Sequence, residues 1–133
     1  MKIIQEQAKE LWRETFSDST EYIDKFFNLY FKPNYFFHLE EDGKLLSMLF
    51  ATHHKLKIDE KTLPIAYIGS VCTQENYRKK GLATLLMKKT EKELIVKLKN
   101  SWKQVLTKKP SRESRKSITV VLLWTLIVLI QSA

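Results

Sequence analysis

A chain of 133 residues, 44% of them apolar and 11% aromatic, is long enough for one globular domain with its own core and is too apolar for a disordered segment. Of the net charge of +8, nearly all belongs to residues 96–117, which hold eight bases against the single acid Glu113, whereas the rest holds 15 bases and 14 acids. The body of the chain is therefore nearly neutral, which argues against a nucleic-acid partner.

The chain has one cysteine, Cys72, which excludes an internal disulfide and a cysteine-based zinc site. We expect no metal and a reducing, cytoplasmic compartment. The first ten residues contain no apolar signal-peptide core.

Two amphipathic helices are predicted over residues 5–16 and 19–31. In the first, apolar residues with helical spacing share one side: Ala8, Leu11, Trp12 and Phe16. In the second, they recur at i, i+3 and i+4: Tyr22, Ile23, Phe26, Phe27 and Tyr30. Polar oxygens that can cap the second helix stand between the two: Asp18, Ser19 and Thr20.

An antiparallel meander of three strands is predicted next, over residues 35–39, 45–58 and 63–73. The dipeptide Asp42-Gly43 separates the first two strands and is typical of a hairpin turn. A second turn at residues 59–61 leads into the third strand.

A helix over residues 82–98 completes the predicted domain, residues 1–98. Its apolar row contains Leu82, Leu86, Leu94 and Leu98, with Leu85 and Ile95 beside it. We predict a basic linker over residues 99–117 and an apolar tail over residues 118–133. The uncharged run 118–130 is shorter than the roughly 20 residues that a membrane span needs, so we favour a tail that does not span a membrane. The alternatives are a membrane anchor and an additional strand beside the predicted strand 63–73.

The stretch from residue 71 to residue 84 passes from a strand through a short basic loop into that helix. Backbone N–H groups in the first turn of a helix have no intrahelical acceptor, and the helix dipole adds about half a positive charge there, so a pyrophosphate can bind. Gly81 allows close approach, the small Ala83 keeps the helix start uncrowded, and the Thr84 hydroxyl can donate. The alternative is an ordinary basic turn between a strand and a helix.

Residues 78–83, Arg-Lys-Lys-Gly-Leu-Ala, resemble the (Q/R)-x-x-G-x-(G/A) loop of the GNAT family of acyl-CoA-dependent N-acetyltransferases. The preceding Val-Cys-Thr segment and the order of elements over residues 5–98 are also similar to that family. The resemblance implies an α+β, three-layer fold with a mixed sheet between flanking helices, and acetyl-CoA as co-substrate. It implies binding of the pyrophosphate at Arg78, Lys79, Lys80, Gly81, Leu82, Ala83 and Thr84, and of the pantetheine arm along Val71, Cys72 and Thr73.

The reaction that the resemblance implies is transfer of an acetyl group to an amine of a small molecule or a peptide. The amine attacks the thioester directly, and a backbone N–H near Val71 or Cys72, at a strand bulge that Gly69 and Ser70 would permit, stabilises the oxyanion. A general base takes the amine proton; the candidates are Glu75 and His53, although each is also an ordinary polar residue for its position. Cys72 is expected to be a buried hydrophobe and not a nucleophile.

The two adjacent histidines cannot both serve the same cleft. Successive side chains on a strand point to opposite faces, so His53 and His54 cannot chelate one ion, and only one of them can face the substrate.

The resemblance ends after the long helix, where the family has a further strand, a helix carrying a tyrosine acid and two more strands. No tyrosine follows Tyr77, and residues 99–133 lack that pattern. We therefore expect the C-terminal part of the fold to be missing or altered, through truncation or a frameshift near residues 96–100. The alternatives to an active enzyme are a non-catalytic acyl-CoA-binding domain and an inactive, truncated or frame-shifted acetyltransferase.

Overall fold

The computed structural model of the chain describes residues 2–106. The elements in chain order are α1 (Lys2–Thr15), α2 (Thr20–Tyr30), β1 (Phe36–Glu41), β2 (Lys44–Ile58), β3 (Lys61–Thr73), a short 3₁₀ helix (Glu75–Tyr77) and α3 (Leu82–Leu106). All the predicted helices and strands are present. The predicted apolar tail and the part of the predicted linker beyond residue 106 lie outside the described residues.

Local sequence accounts for the first boundaries. Ser19 caps α2, where its Oγ accepts the N–H of Tyr22 at 3.2 Å. The turn between β1 and β2 holds Asp42 at φ 48° and Gly43 at φ 75°, the left-handed conformations that a tight hairpin turn requires. The cap and the turn are therefore formed by the residues predicted to form them.

Helix α3 is longer than predicted. It does not end at residue 98 but continues to Leu106, so residues 99–106 of the predicted linker are helical. The sequence from 82 to 106 contains no glycine or proline, and so no local signal ends the helix earlier.

Within residues 2–106 the sheet has three strands in the order β1-β2-β3, and both strand pairs are antiparallel. This is the predicted meander. The parallel pairing that a mixed sheet requires does not occur among the described strands. The edge of β3 that faces away from β2 has no neighbouring strand in this part of the chain.

Helices cover both faces of the sheet, which gives the three layers of the predicted α+β fold. On one face, α1 and α2 enclose an aromatic core together with strand residues: Trp12, Ile23, Phe27, Met48 and Phe50. On the other face, α3 packs on a smaller aliphatic cluster: Leu49, Ala51, Ile68, Leu86 and Leu94. A fully buried leucine such as Leu86 contributes about 2 kcal/mol to stability.

The buried row of α3 includes a residue that the apolar pattern omitted. Thr90 is fully buried, and its Oγ1 donates to the carbonyl of Leu86 at 2.8 Å, which satisfies the hydroxyl inside the core. Leu85 and Ile95, expected beside the row, are instead 56% and 53% exposed.

Candidate functional site

The loop between β3 and α3 is held in place by hydrogen bonds to main-chain carbonyl groups. Arg78 Nε donates to the carbonyl of Thr73 at 3.0 Å, which ties the loop to the end of the strand. The Leu85 N–H donates to the Gly81 carbonyl at 3.0 Å and closes the first turn of α3. The amides of residues 82–84 stand at the start of that turn and have no intrahelical acceptor. The structure therefore brings the predicted loop residues 78–84 together around one helix N-terminus.

Gly81 leaves open space in front of this helix start. Its φ of +77° lies in the left-handed region, and a Cβ added there would meet no heavy atom within 4 Å. Lys79 also adopts a positive φ, of 61°. The glycine is thus required by the backbone conformation as well as by access, and an anion can approach the amides directly.

Positive charge surrounds the loop. Arg78, Lys79 and Lys80 are all exposed, and Lys80 Nζ lies 5.3 Å from the centroid of the Tyr77 ring. Lys44, from the start of β2, lies over the same ring at 5.0 Å. Lys44 was not among the residues predicted for this loop. It lies far upstream in the sequence, and nothing in the sequence indicates that the β1–β2 hairpin reaches the loop.

β3 carries a bulge just before the loop. Met48 pairs with Cys72 and Phe50 pairs with Gly69, so two steps along β2 correspond to three along β3. Ser70, in the extra step, has a φ of 53°. The bulge expected at Gly69 and Ser70 is therefore present.

Main-chain groups, and not the side chains of Val71 and Cys72, lie along the edge of β3 that has no neighbouring strand among the described residues. The side chain of Val71 is buried on the α3 side, and that of Cys72 is buried in the core beneath α1 and α2. The Thr73 hydroxyl is 2.9 Å from Ser47 Oγ, which also donates to the Cys72 carbonyl at 3.2 Å. These hydrogen bonds hold the strand end rigid on its β2 side.

The Cys72 thiol is held in its protonated form. Burial raises its pKa from 9.0 to about 12, although the Thr15 hydroxyl and the charge of Arg78 oppose the shift. Its Sγ lies 3.4 Å from the Ser70 carbonyl. A protonated, buried thiol agrees with the expectation that Cys72 is a core residue and not a nucleophile.

The two histidines lie on opposite faces, as strand alternation predicts. His53 is on the α3 side, with its ring 4.6 Å from that of Tyr35 in an edge-to-face contact. Partial burial lowers its pKa below 6.5, and the charges of Lys97 and His54 lower it further. His54 lies on the α2 side, where its Nε2 is 2.8 Å from the Thr52 hydroxyl.

An open cleft lies between α2 and the sheet, with a volume of about 550 Å³. We call it the α2 cleft. Its lining residues come from α2, β2 and β3: Tyr22, Phe26, Tyr30, Phe50, Thr52, His54, Ile65, Tyr67, Gly69 and Ser70.

Of the two predicted candidates for the base, neither lines this cleft. Glu75 is exposed in the 3₁₀ helix, and its carboxylate contacts no other described side chain. His53 lies across the sheet, and it is His54 that reaches the cleft. Strand alternation indicates that only one of the two histidines can face the cleft, but it does not indicate which of them does.

Residues 2–106 contain no group of three histidine, cysteine or acidic side chains that could hold a metal ion. No helix among them has both the length and the apolar character needed to cross a membrane.

The chain matches a known family over most of its length. A family model described as an acetyltransferase (GNAT) domain matches residues 5–110, which include most of α1 and all of α2, the sheet, the loop and α3. The comparisons with curated proteins and with solved structures gave no match.

Proposed function

Because the chain belongs to the GNAT acetyltransferase family, we propose that it transfers an acetyl group from acetyl-CoA to the nitrogen of an amine acceptor. The observation that carries the proposal is the exposed basic loop at the start of α3, with Gly81 at positive φ and no atom near its missing Cβ. A helix N-terminus of this kind suits the pyrophosphate of CoA.

In this proposal the main chain of residues 79–84 holds the pyrophosphate. Lys79, Lys80 and Lys44 add positive charge, while Arg78 contributes charge and also ties the loop to β3 through its bond to Thr73. The free edge of β3 at residues 71–73 receives the pantetheine amides, because the side chains of Val71 and Cys72 are directed into the two cores.

The chemical step joins the amine nitrogen to the acetyl carbon and breaks the bond from that carbon to sulfur, so CoA leaves as the thiol. Main-chain N–H groups at the bulge of Ser70 and Val71 stabilise the negative charge that forms on the acetyl oxygen. Glu75 takes the amine proton through water, since its carboxylate is exposed and has no partner among the described residues. His53, the other candidate, lies on the α3 side of the sheet, where its ring is 4.6 Å from that of Tyr35.

The test uses the full chain, with acetyl-CoA binding measured by calorimetry and thiol release measured with a panel of amines. We expect saturable binding of acetyl-CoA and amine-dependent release of thiol. Absence of acetyl-CoA binding would refute the proposal. Glu75→Gln and His53→Gln test the base: loss of a base lowers kcat by about 10²-fold or more, and we expect that loss only for Glu75→Gln.

A second candidate function is binding of acyl-CoA without turnover. It is favoured by the absence of any tyrosine after Tyr77 in the sequence, since a tyrosine late in the fold serves as the acid in the family that the chain resembles. Saturable binding of acetyl-CoA with no thiol release, for any amine in the panel, would select this function over the first.

A further inference from the structure

The α2 cleft is lined by aromatic rings and contains no strongly charged side chain. Half of its lining residues are aromatic: Tyr22, Phe26, Tyr30, Phe50 and Tyr67. Among the described residues, no aspartate, glutamate, lysine or arginine lines it, and His54 is the single basic titratable group of this lining. The described lining thus offers aromatic ring faces to a ligand, but it offers no charged side chain that could pair with a carboxylate or with a second ammonium group of that ligand.

The floor of the cleft is rigid and its rim is open. The Phe26 ring meets Phe50 edge-to-face at 5.0 Å and lies 4.7 Å from Tyr30. Phe50 is 1% exposed, whereas Tyr22 and Tyr67 at the rim are 50% and 56% exposed. The two rim tyrosines therefore offer exposed ring surface to a flat group, and the rings of Phe26, Tyr30 and Phe50 pack on one another in the same cleft.

The cleft also reaches the bulge in β3. Gly69 and Ser70 line it, and these residues belong to the segment at which the acetyl group lies in the proposed function. His54 stands on the same side of the sheet, with Nε2 bonded to Thr52 and Nδ1 without a partner among the described residues. An amine in the cleft thus has a hydrogen-bonding group near it and the bulge within the same cavity.

We infer that the α2 cleft is the acceptor site and that its substrate is a primary amine joined by a short alkyl chain to one uncharged aromatic ring. The inference rests on the proposed function. Burying a second ammonium or a carboxylate with no counter-charge is strongly unfavourable, which disfavours diamines and amino acids. Ring faces attract the amino group while it is charged and bury the aromatic body of the substrate. The volume of about 550 Å³ lies within the range of small-molecule sites.

Three primary amines separate the possibilities. Phenethylamine has the proposed chemistry, phenylalanine adds only a carboxylate, and cadaverine replaces the ring by a second ammonium. We expect kcat/KM for phenethylamine to exceed that of each of the others by at least about tenfold, because each of the others buries an unpaired charge. Equal or higher kcat/KM for cadaverine or phenylalanine would overturn the inference, while thiol release with either of them would leave the proposed function standing.

A matched pair of variants on α2 locates the site. Tyr22 and Leu29 are both exposed, at 50% and 60%, but only Tyr22 lines the cleft. Tyr22→Ala should raise the KM for phenethylamine about fivefold, through the loss of one ring contact, and leave the Kd of acetyl-CoA unchanged. Leu29→Ala should change neither value. Equal effects of the two substitutions would place the acceptor elsewhere.

Calorimetry with the amines alone keeps the two proposals distinguishable. If the chain fails to bind acetyl-CoA, the proposed function fails, but the cleft is still tested by its affinity for the three amines. Binding that is tightest for phenethylamine and weaker in Tyr22→Ala supports the site. Equal affinity for phenethylamine and cadaverine overturns it, whatever the outcome with acetyl-CoA.

Discussion

Replacing Gly81 by aspartate tests the proposed pyrophosphate site most directly. The new side chain would project into space that is empty within 4 Å and lies in front of the α3 amides. Two unit charges 4 Å apart in water repel each other by about 1 kcal/mol, and a pyrophosphate carries about two charges, so the repulsion is about 2 kcal/mol before screening by salt. We expect the Kd of acetyl-CoA to rise at least tenfold, about 1.4 kcal/mol.

The measurement is isothermal titration of acetyl-CoA into the full chain at low and at moderate salt, with the larger difference expected at low salt. Gly81→Asn has the same shape without the charge, and it should lose less affinity than Gly81→Asp. The comparison of the two substitutions isolates the electrostatic part of the effect.

Gly43 provides the structural control for the same experiment. Its φ of +75° nearly equals the +77° of Gly81, and its added Cβ also meets nothing within 4 Å. Gly43→Asp and Gly81→Asp should therefore each lose a similar stability, about 1 kcal/mol, from holding a side chain in the left-handed region. Only Gly81→Asp should weaken the binding of acetyl-CoA. If the two variants bind acetyl-CoA with the same affinity, the assignment of the loop is wrong.

Substitutions at three further positions test the surroundings of the site. The Cys72 thiol is protonated in both states below pH 9.0, where its contribution to stability is fully present. Between pH 9.0 and about 12 the unfolded chain loses the thiol proton while the folded state keeps it, so this contribution is lost. The loss amounts to about 1.4 kcal/mol per pH unit, so the unfolding free energy of the wild type should fall relative to that of Cys72→Ala as the pH rises over this range, and a constant difference would contradict the shift. Ser70→Val should lower the unfolding free energy by about 2 kcal/mol, since β-branched residues tolerate φ 53° poorly, whereas Ser70→Gly should stay within about 0.5 kcal/mol in the same denaturant titration. Gln7→Ala should cost about 2 kcal/mol by that measurement, because Gln7 Nε2 donates to the Gly43 carbonyl and its Oε1 accepts the Leu45 N–H.

The secondary structure was predictable because its signals are local. The helical spacing on both sides of Ser19 and the turn at Asp42-Gly43 each depend on a few neighbouring residues. The end of α3 was not predicted, since the apolar row fades after Leu98 while the backbone needs only the absence of a helix breaker to continue to Leu106.

The loop was found in the sequence because its residues are contiguous, and the α2 cleft was not found because its residues are scattered over three elements. Alternation separates His53 from His54, but the face that each one takes depends on the register of the whole strand. That register shifts within β2, where the single step from Leu39 to Glu40 on β1 is opposite the two steps from Ser47 to Leu45. Counting along the strand from its start therefore does not assign either histidine to a face.

The relative position of the loop and the cleft is set mainly by the backbone. Gln74, just after β3, donates its N–H to the Leu46 carbonyl at 2.9 Å, and Arg78 returns to the Thr73 carbonyl at 3.0 Å. These bonds fix where α3 begins relative to the bulge at Ser70, which lines the cleft. A substitution of a side chain at the cleft rim, such as Tyr22, leaves all of them in place. The main chain and the Arg78 side chain thus hold the loop at a fixed distance from the bulge. Under the two proposals, the side chains of α2 and the strands then determine which amine enters.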